Sequence, residues 1–144
     1  MIEKRVTKIL LPLDGSKNSW RGLEMAISVA RQYGATITGM YSIYAPPHSE
    51  FRGVGSVDES LNREVKKFLG DAKLLAAQNG IVFKEKLMRG NIGYNIIKLA
   101  HNKKEKFNLI VIGTRGRGSI KEVFFGSVSN YVIHASKIPV LIVK

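Results

Sequence analysis

Apolar and polar positions follow two periods along this chain, and each change of period marks a predicted element. Short, nearly continuous apolar runs, as at 8–13 and 107–112, are typical of strands buried on both faces of a sheet. Between such runs, apolar residues recur every three to four positions, as at Leu23, Ile27 and Ala30, which indicates helices with one buried face. The chain is therefore predicted to alternate between strands and helices.

Strands are predicted at 8–13, 35–44, 81–88, 107–112 and 138–143. Helices are predicted after the N-cap Ser16 up to Gly34, from Leu61 to Asn79, from Ile92 to Ala100, and from about Gly126 to Ser136. The segment from 45 to about 58, which is rich in proline and glycine, is predicted to be irregular. Alternating strands and helices form a parallel sheet with helices on both faces. The predicted fold class is therefore α/β, with a single domain over residues 1–144 and an open five-stranded parallel sheet.

A glycine-rich stretch separates the fourth predicted strand from the fourth predicted helix. It reads Gly113-Thr114-Arg115-Gly116-Arg117-Gly118, and Gly126-Ser127 follows eight residues later. Glycines let the backbone adopt positive φ and approach a ligand closely, and a helix N-terminus favours an anion. The stretch is not a Walker loop, because no Gly-Lys-Ser/Thr ends it, and its glycines have the wrong order for a dinucleotide fingerprint. From spacing alone, a phosphate loop and a glycine-rich connection with solvated arginines both stay open.

The predicted topology places this stretch in a crevice. In open parallel sheets, ligands bind beyond the carboxyl ends of the strands, where the strand order reverses. The ends of strands one, two and four carry Asp14, Ser42 and Gly113. If strand one lies between the other two, these three residues surround one pocket.

The charge balance favours anionic partners. The chain carries 23 basic and 11 acidic residues, a net charge of +12, which suits nucleotides, nucleic acid or acidic surfaces. The basic residues are dispersed without interleaved aromatics, so nucleic-acid binding is the secondary interpretation. The chain has no cysteine, which excludes disulfides and thiolate metal sites. Since there is also no secretory signal and no apolar run of membrane-spanning length, a cytoplasmic location without membrane contact is expected.

Four ordered segments resemble the universal stress protein family over essentially the full length of the chain. These segments are Ile9–Ser16, Asn108–Gly118, Gly126–Ser129 and His134–Val143. The spacing Gly-x2-Gly-x9-Gly-Ser resembles that of the ATP-binding branch of the family. The resemblance implies a Rossmann-like, adenine nucleotide alpha hydrolase-like fold with strand order 3-2-1-4-5. One departure is Asn108, which stands where the family commonly has an aspartate.

The resemblance also implies a site for ATP, with Mg²⁺ or Mn²⁺ bridging the phosphates. Asp14 would lie near the ribose, with a structural role as a turn acid as the alternative, and the backbone of Ser42 would address the adenine edge. The glycines of the loop and Ser127 would hold the ribose and phosphates. The implied nucleotide-binding residues are Pro12, Asp14, Ser42, Gly113, Thr114, Arg115, Gly116, Arg117, Gly118, Gly126, Ser127, Val128 and Ser129.

Three functions follow from these observations. A nucleotide-dependent stress or regulatory protein is favoured, because hydrolysis needs a positioned water and a base, and only Asp14 is an acid near the predicted pocket. A slow ATP hydrolase and a basic nucleic-acid-interacting protein are the alternatives. A homodimer formed through the last strand, Val140–Val143, is expected, because family members commonly pair there and an apolar edge strand invites pairing.

Overall fold

The computed structural model describes residues 5–43, 55–114 and 126–144, with side chains from residue 62 onward in the second range. Its elements, in chain order, are β1 (Lys8–Leu13), α1 (Lys17–Tyr33), β2 (Thr36–Ile43), α2 (Gly55–Gln78), β3 (Phe83–Arg89), α3 (Ile92–Ala100), β4 (Leu109–Gly113), α4 (Ser127–Ala135) and β5 (Val140–Val143). The strands form one parallel sheet in the order β3-β2-β1-β4-β5. The predicted fold class and strand order are thus confirmed.

The sheet is buried on both faces because successive strand residues point to opposite sides. On one side, Ile9, Leu11 and Ile37 pack with the apolar faces of α1 and α2. On the other side, Leu10 and Met40 pack with α3 and α4. The two core layers explain why the central strands read as continuous apolar runs and not as alternating ones.

Side-chain caps set where two of the helices begin. The Oγ of Ser16 accepts a hydrogen bond from the Ser19 N–H (3.2 Å), and the Oδ1 of Asn91 accepts one from the Tyr94 N–H (2.9 Å). The predicted end of α1 is also confirmed, because Gly34 adopts the left-handed conformation (φ 67°) that a helix C-cap needs. The cap of α4 is different, since its N-cap residue is Gly126 and makes no side-chain hydrogen bond.

Several element boundaries differ from the sequence-based expectation, including the start of β5 at Val140 and not at 138. Helix α2 spans Gly55–Gln78, so its first turn lies inside the segment predicted to be irregular. Strand β3 begins at Phe83 and not at 81, and β4 begins at Leu109 and not at 107. Ile81 and Phe107 are buried in the core just before β3 and β4 begin. Their apolar character therefore does not show whether they belong to the strand or to the connection that leads into it. The remainder of the segment predicted to be irregular, 45–54, lies outside the described residues.

Asn108 fastens the start of β4 to the start of β1. Its Oδ1 accepts hydrogen bonds from the N–H groups of Thr7 and Lys8, both at 3.1 Å. Its Nδ2 donates to the Arg5 carbonyl (2.8 Å) and to the Thr7 hydroxyl (3.0 Å). The residue that departs from the family pattern therefore bridges two central strands at the end of the sheet opposite the predicted crevice.

Candidate functional site

A cavity of about 250 Å³ lies at the carboxyl ends of β1 and β4. The N-termini of α1 and α4 face it, and α3 closes one side. Its lining residues are Pro12, Leu13, Asp14, Ser16, Asn18, Ser19, Ile92, Ile96, Ile112, Gly113, Gly126, Ser127, Val128 and Ser129. Since β1 lies between β2 and β4, this is the strand-order reversal at which open parallel sheets bind ligands.

The floor of the cavity is formed where α1 crosses the end of β4. A Cβ atom built on Gly113 would come within 2.7 Å of the Asn18 main-chain carbon. A Cβ on Gly22, one turn further along α1, would come within 3.3 Å of the Gly113 nitrogen. Glycine is therefore required at Gly113 for close backbone approach and not for positive φ, the conformation that the loop pattern suggested.

Asp14 occupies the corner between β1 and α1. Its Oδ1 accepts a hydrogen bond from the Ser16 N–H (2.9 Å), so one carboxylate oxygen holds the turn that leads into the helix. The side chain is exposed and borders the cavity, so its hydrogen bond within the turn does not remove it from the cavity lining. The Tyr41 hydroxyl donates to the Asp14 carbonyl (3.4 Å). Burial raises the pKa of Tyr41, and the carboxylates of Asp14 and Glu64 raise this pKa further.

The N-terminus of α4 offers main-chain donors to the same cavity. The first N–H groups of any α-helix lack intrahelical acceptors, and here they belong to Ser127, Val128 and Ser129, all in the lining. Gly126 has no side chain with which to cap them, whereas Ser16 caps α1. The buried Ser129 hydroxyl donates to the Gly126 carbonyl (3.0 Å), which fixes this turn. Together with the helix dipole, N–H groups without intrahelical acceptors favour an anion at this end of the cavity.

An apolar wall belongs to the same cavity as these donors. Ile92 and Ile96 stand one turn apart on α3, and Ile112 precedes the glycine that ends β4. A cavity with apolar side chains on one side and main-chain donors on another fits a ligand that has both a flat apolar part and a phosphate.

The structure brings together most of the predicted site residues that it describes. Pro12, Asp14, Gly113 and the run from Gly126 to Ser129 line the cavity. Ser42 and Thr114 do not: the Ser42 hydroxyl is buried and accepts a hydrogen bond from the Asn95 Nδ2 (2.9 Å), and the Thr114 N–H donates to the Val143 carbonyl (2.8 Å). The remaining members of the predicted set, Arg115, Gly116, Arg117 and Gly118, lie outside the described residues.

Sequence reasoning did not single out several lining residues. Asn18 and Ser19 belong to the first turn of α1, and their signal was the N-cap Ser16, which indicated where that turn begins. Ile92 and Ile96 were assigned to the core by their helical spacing, and nothing in that spacing separates core from cavity wall.

The described residues suit a divalent cation only as a companion of a phosphate. Among residues 5–43, 62–114 and 126–144, no group of three or more His, Asp or Glu side chains could hold a metal ion. Asp14 is the only carboxylate in the described lining, and one of its oxygens already accepts the Ser16 N–H. A magnesium or manganese ion here would take most of its oxygen ligands from the phosphates and from water.

The chain matches the universal stress protein family model over residues 5–144 and belongs to that family. Universal stress protein MJ0531 of Methanocaldococcus jannaschii is 30% identical over 145 residues, which cover 99% of this chain and 84% of the relative. The solved structure of MJ0577, from the same organism, superposes with a TM-score of 0.84 at 25% identity and covers 98% of this chain and 97% of that one.

Two solved structures with the same fold carry adenine nucleotides. A universal stress protein in complex with cAMP has a TM-score of 0.73 at 23% identity and covers 97% of this chain and 98% of that one. A family protein from Arabidopsis thaliana with AMP bound has a TM-score of 0.72 at 15% identity and covers 96% of this chain and 91% of that one. The part of the chain that the structure describes contains no helix long and apolar enough to cross a membrane.

Proposed function

We propose that this universal stress protein binds an adenine nucleotide, with ATP as the first candidate, in the cavity at the ends of β1 and β4. It acts as a nucleotide-dependent regulatory protein whose bound state changes its partners. Family membership and the adenine nucleotides in two proteins of the same fold support the ligand class. A cytoplasmic location stays a prediction.

One observation carries the proposal: the uncapped N-terminus of α4 borders the cavity. The N–H groups of Ser127, Val128 and Ser129 have no intrahelical acceptors, and the N-cap residue Gly126 has no side chain that could accept from them. A phosphate there accepts several main-chain hydrogen bonds and lies at the positive end of the helix dipole. Arg115, Gly116, Arg117 and Gly118 remain predicted phosphate ligands, with Thr114 at the start of that loop.

The other parts of the nucleotide are assigned by the chemistry of the lining. The Asp14 carboxylate has one oxygen that is not used by the turn, and it accepts a ribose hydroxyl. Pro12 and the isoleucine wall of α3 contact the flat base. The backbone of Ser42 stays a predicted contact of the adenine edge, beyond the described lining.

Binding is favoured over turnover. Asp14 is the only titratable side chain in the described lining, and it is tied to the turn through one oxygen. A hydrolase needs a second group to orient the attacking water. A Mg²⁺ or Mn²⁺ ion would be held mainly by the phosphates of the nucleotide, with Asp14 as the one carboxylate in the described lining, and would neutralise part of the phosphate charge. Slow hydrolysis would then depend on the ligand and the ion more than on this chain.

A homodimer through β5 forms the second part of the proposal. β5 is an edge strand, and the carbonyls of Pro139 and Val143 accept hydrogen bonds from Ile110 and Thr114 on the β4 side. Because main-chain groups alternate in direction along a strand, those of Val140 and Ile142 point to the open edge. A second copy can pair with this edge.

Calorimetric titration of the nucleotide-stripped protein with Mg-ATP, at low and high salt, tests the nucleotide proposal. We expect saturable binding of one nucleotide per chain that survives high salt, because the donors are main-chain groups in a cavity and not surface charges. Gly126→Val should abolish binding without unfolding the chain, because the backbone of Gly126 (φ −57°, ψ 159°) is accessible to any residue.

Two further variants make the test specific. Gly126→Asn places a side-chain cap on the donors, so it should weaken ATP binding while leaving helix stability equal or slightly higher. Gly70→Ala, in open space on α2, is the control and should bind as the wild type does. Undiminished ATP binding by Gly126→Val would overturn the assignment of the phosphate to α4.

A further inference from the structure

The two faces of the sheet carry very different charge. The acidic side chains on the α1/α2 side or at the cavity are Asp14, Glu24, Glu64, Asp71 and Glu85. On the α3/α4 side, Glu105 is the only acidic side chain that the structure describes. The same side exposes six lysines: Lys84, Lys86, Lys98, Lys103, Lys104 and Lys106. We call these six lysines, with the exposed surfaces of α3 and α4, the basic face.

The one acid on this face is already neutralised. The Nζ of Lys8 lies 2.7 Å from the Glu105 Oε2 and also donates to the Glu105 main-chain carbonyl at 2.7 Å. The hydrogen bond and charge of Lys8 lower the pKa of the Glu105 carboxyl, and the charges of Lys86 and Lys84 lower it further. The ion pair with Lys8 therefore leaves no unpaired acidic side chain among the described residues of this side.

Two exposed tyrosines accompany these lysines. Tyr94 on α3 is 58% exposed and Tyr131 on α4 is 45% exposed, although large apolar rings are usually covered. They border a groove of about 480 Å³ between the N-terminal turns of the two helices. Gly93 holds this geometry, because a Cβ there would come within 2.7 Å of the Tyr131 ring.

Aromatic and cationic groups follow one another along α3. Lys98 is four residues after Tyr94, so the two side chains lie on one stripe about 6 Å apart along the helix axis. Lys103 and Lys104 follow just beyond the end of the helix and are exposed. The groove between the tyrosines thus leads into a row of positive charge.

We propose that the basic face binds single-stranded nucleic acid, with unpaired bases stacked on Tyr94 and Tyr131 and the phosphates near Lys98, Lys103 and Lys104. Stacking on exposed aromatic rings beside a positively charged track is how proteins hold single strands without reading sequence. The dispersed lysines neutralise phosphate charge. The tyrosines select for a single strand, because only unpaired bases are free to stack on their rings. A flat anionic membrane fits less well, because the tyrosines border a concave groove.

This surface adjoins the nucleotide cavity and shares a wall with it, and that wall includes two of the proposed phosphate donors. Ile92, Ser127 and Val128 border both the groove and the nucleotide cavity. The proposal does not depend on nucleotide binding, and each can fail without the other.

Fluorescence anisotropy of a short labelled RNA of mixed sequence tests the proposal with charge-matched variants. Lys98→Glu combined with Lys103→Glu should weaken binding by at least about tenfold and flatten the salt dependence by roughly 0.7 in logarithmic slope per lost phosphate contact. Lys66→Glu combined with Lys73→Glu changes the net charge equally, but on exposed positions of α2, and should have a much smaller effect. Equal losses in the two pairs would mean nonspecific attraction and would overturn the proposal.

Tyrosine variants isolate the stacking contribution. Tyr94→Ala should weaken RNA binding on the order of tenfold, whereas Tyr33→Ala, an exposed tyrosine at the end of α1, should not. The duplex form of the same RNA should bind more weakly than the single strand. Equal affinity for the duplex, or binding that ignores Tyr94, would refute base stacking.

Two further measurements separate the remaining outcomes. Thermal unfolding and Mg-ATP calorimetry of each variant should match the wild type, which shows that the fold and the nucleotide cavity are intact. Flotation with phosphatidylserine vesicles should show no lysine-dependent retention. If vesicles, and not RNA, were bound through Lys98 and Lys103, the face would be a membrane surface and the proposal would be wrong.

Discussion

The α-carbon of Gly113 lies against the main-chain carbonyl group of Asn18, so β4 and the first turn of α1 touch through their backbones. No side chain intervenes, because even a methyl group at Gly113 would overlap the Asn18 peptide. The contact fixes the N-terminus of α1 at the floor of the cavity. It also explains why residue 113 is a glycine: the position needs a residue without a Cβ, and not the positive φ that the glycine-rich pattern suggested.

Replacing Gly113 should therefore destabilise the whole fold. We expect Gly113→Ala to lower the free energy of unfolding by about 1–3 kcal/mol, because the added methyl forces α1 and β4 apart. Gly70→Ala on α2 meets nothing within 4 Å and should instead raise the unfolding free energy by up to about 1 kcal/mol, since alanine favours the helix. Urea unfolding of both variants is the measurement. A neutral Gly113→Ala would show that α1 does not rest on this residue.

Replacing Asn108 with the aspartate that the family commonly carries should destabilise the fold. Asn108→Asp keeps the acceptor for Thr7 and Lys8 but loses the donor to the Arg5 carbonyl, so we expect a loss of about 1 kcal/mol in unfolding free energy. The matched control is Asn102→Asp. The Asn102 side chain accepts through Oδ1 from Lys104 and Glu105, and a carboxylate preserves those bonds. Equal stability of the two variants, measured by urea unfolding, would contradict the assigned role of the amide donor.

Tyr41 should make stability sensitive to alkaline pH. Its pKa is raised in the folded chain by burial and by Asp14 and Glu64, so the native state favours the neutral phenol. This contribution is present below the unfolded-state pKa of about 10 and is lost as the pH rises through the higher folded pKa. The urea midpoint of the wild type should therefore fall at high pH more steeply than that of Tyr41→Phe. Tyr33→Phe, at an exposed site, should follow the wild type, and an unchanged alkaline slope in Tyr41→Phe would refute the prediction.

The proposed dimer can be tested by removing one main-chain hydrogen-bond donor from the open edge of β5. Ile142→Pro removes an N–H that points to the open edge of β5, so the strand should still pair with β4 while a second copy loses a partner group. We expect monomers in sedimentation velocity and a folded circular dichroism spectrum. Leu141→Pro removes an N–H on the β4 side and should instead damage the fold. A dimer that survives Ile142→Pro would place the interface elsewhere.

The fold was predictable because its signals are local and repeated. The apolar runs around Leu10 and Ile110, the N-cap Ser16 and the terminal Gly34 each indicated the element that the structure contains. Boundaries were harder, since Ile81 and Phe107 are buried by tertiary packing before their strands begin. Local pattern cannot distinguish that kind of burial from a ladder.

The candidate site was predictable only for polar or glycine residues that stand at a predicted strand end or helix start. Asp14 and Gly126 could be placed at a strand end and a helix start, and both line the cavity. Ile92 could not, because a cavity wall and a core position share the same helical spacing. Ser42 lies at the end of β2 as expected, and its hydroxyl accepts a hydrogen bond from the buried Asn95, a contact that the sequence did not indicate. The adenine contact of the Ser42 backbone stays a prediction.

Trp20 is the only tryptophan of the chain. Its ring packs edge-to-face on Phe68 of α2, with ring centroids 5.6 Å apart, immediately after the cavity-lining Ser19. All indole emission therefore originates at the contact between the first two helices, one residue along the chain from a residue that lines the cavity. The chain therefore contains an intrinsic fluorescent probe. A shift of α1 against α2 would change the emission wavelength or intensity of this one tryptophan, and no added label is needed.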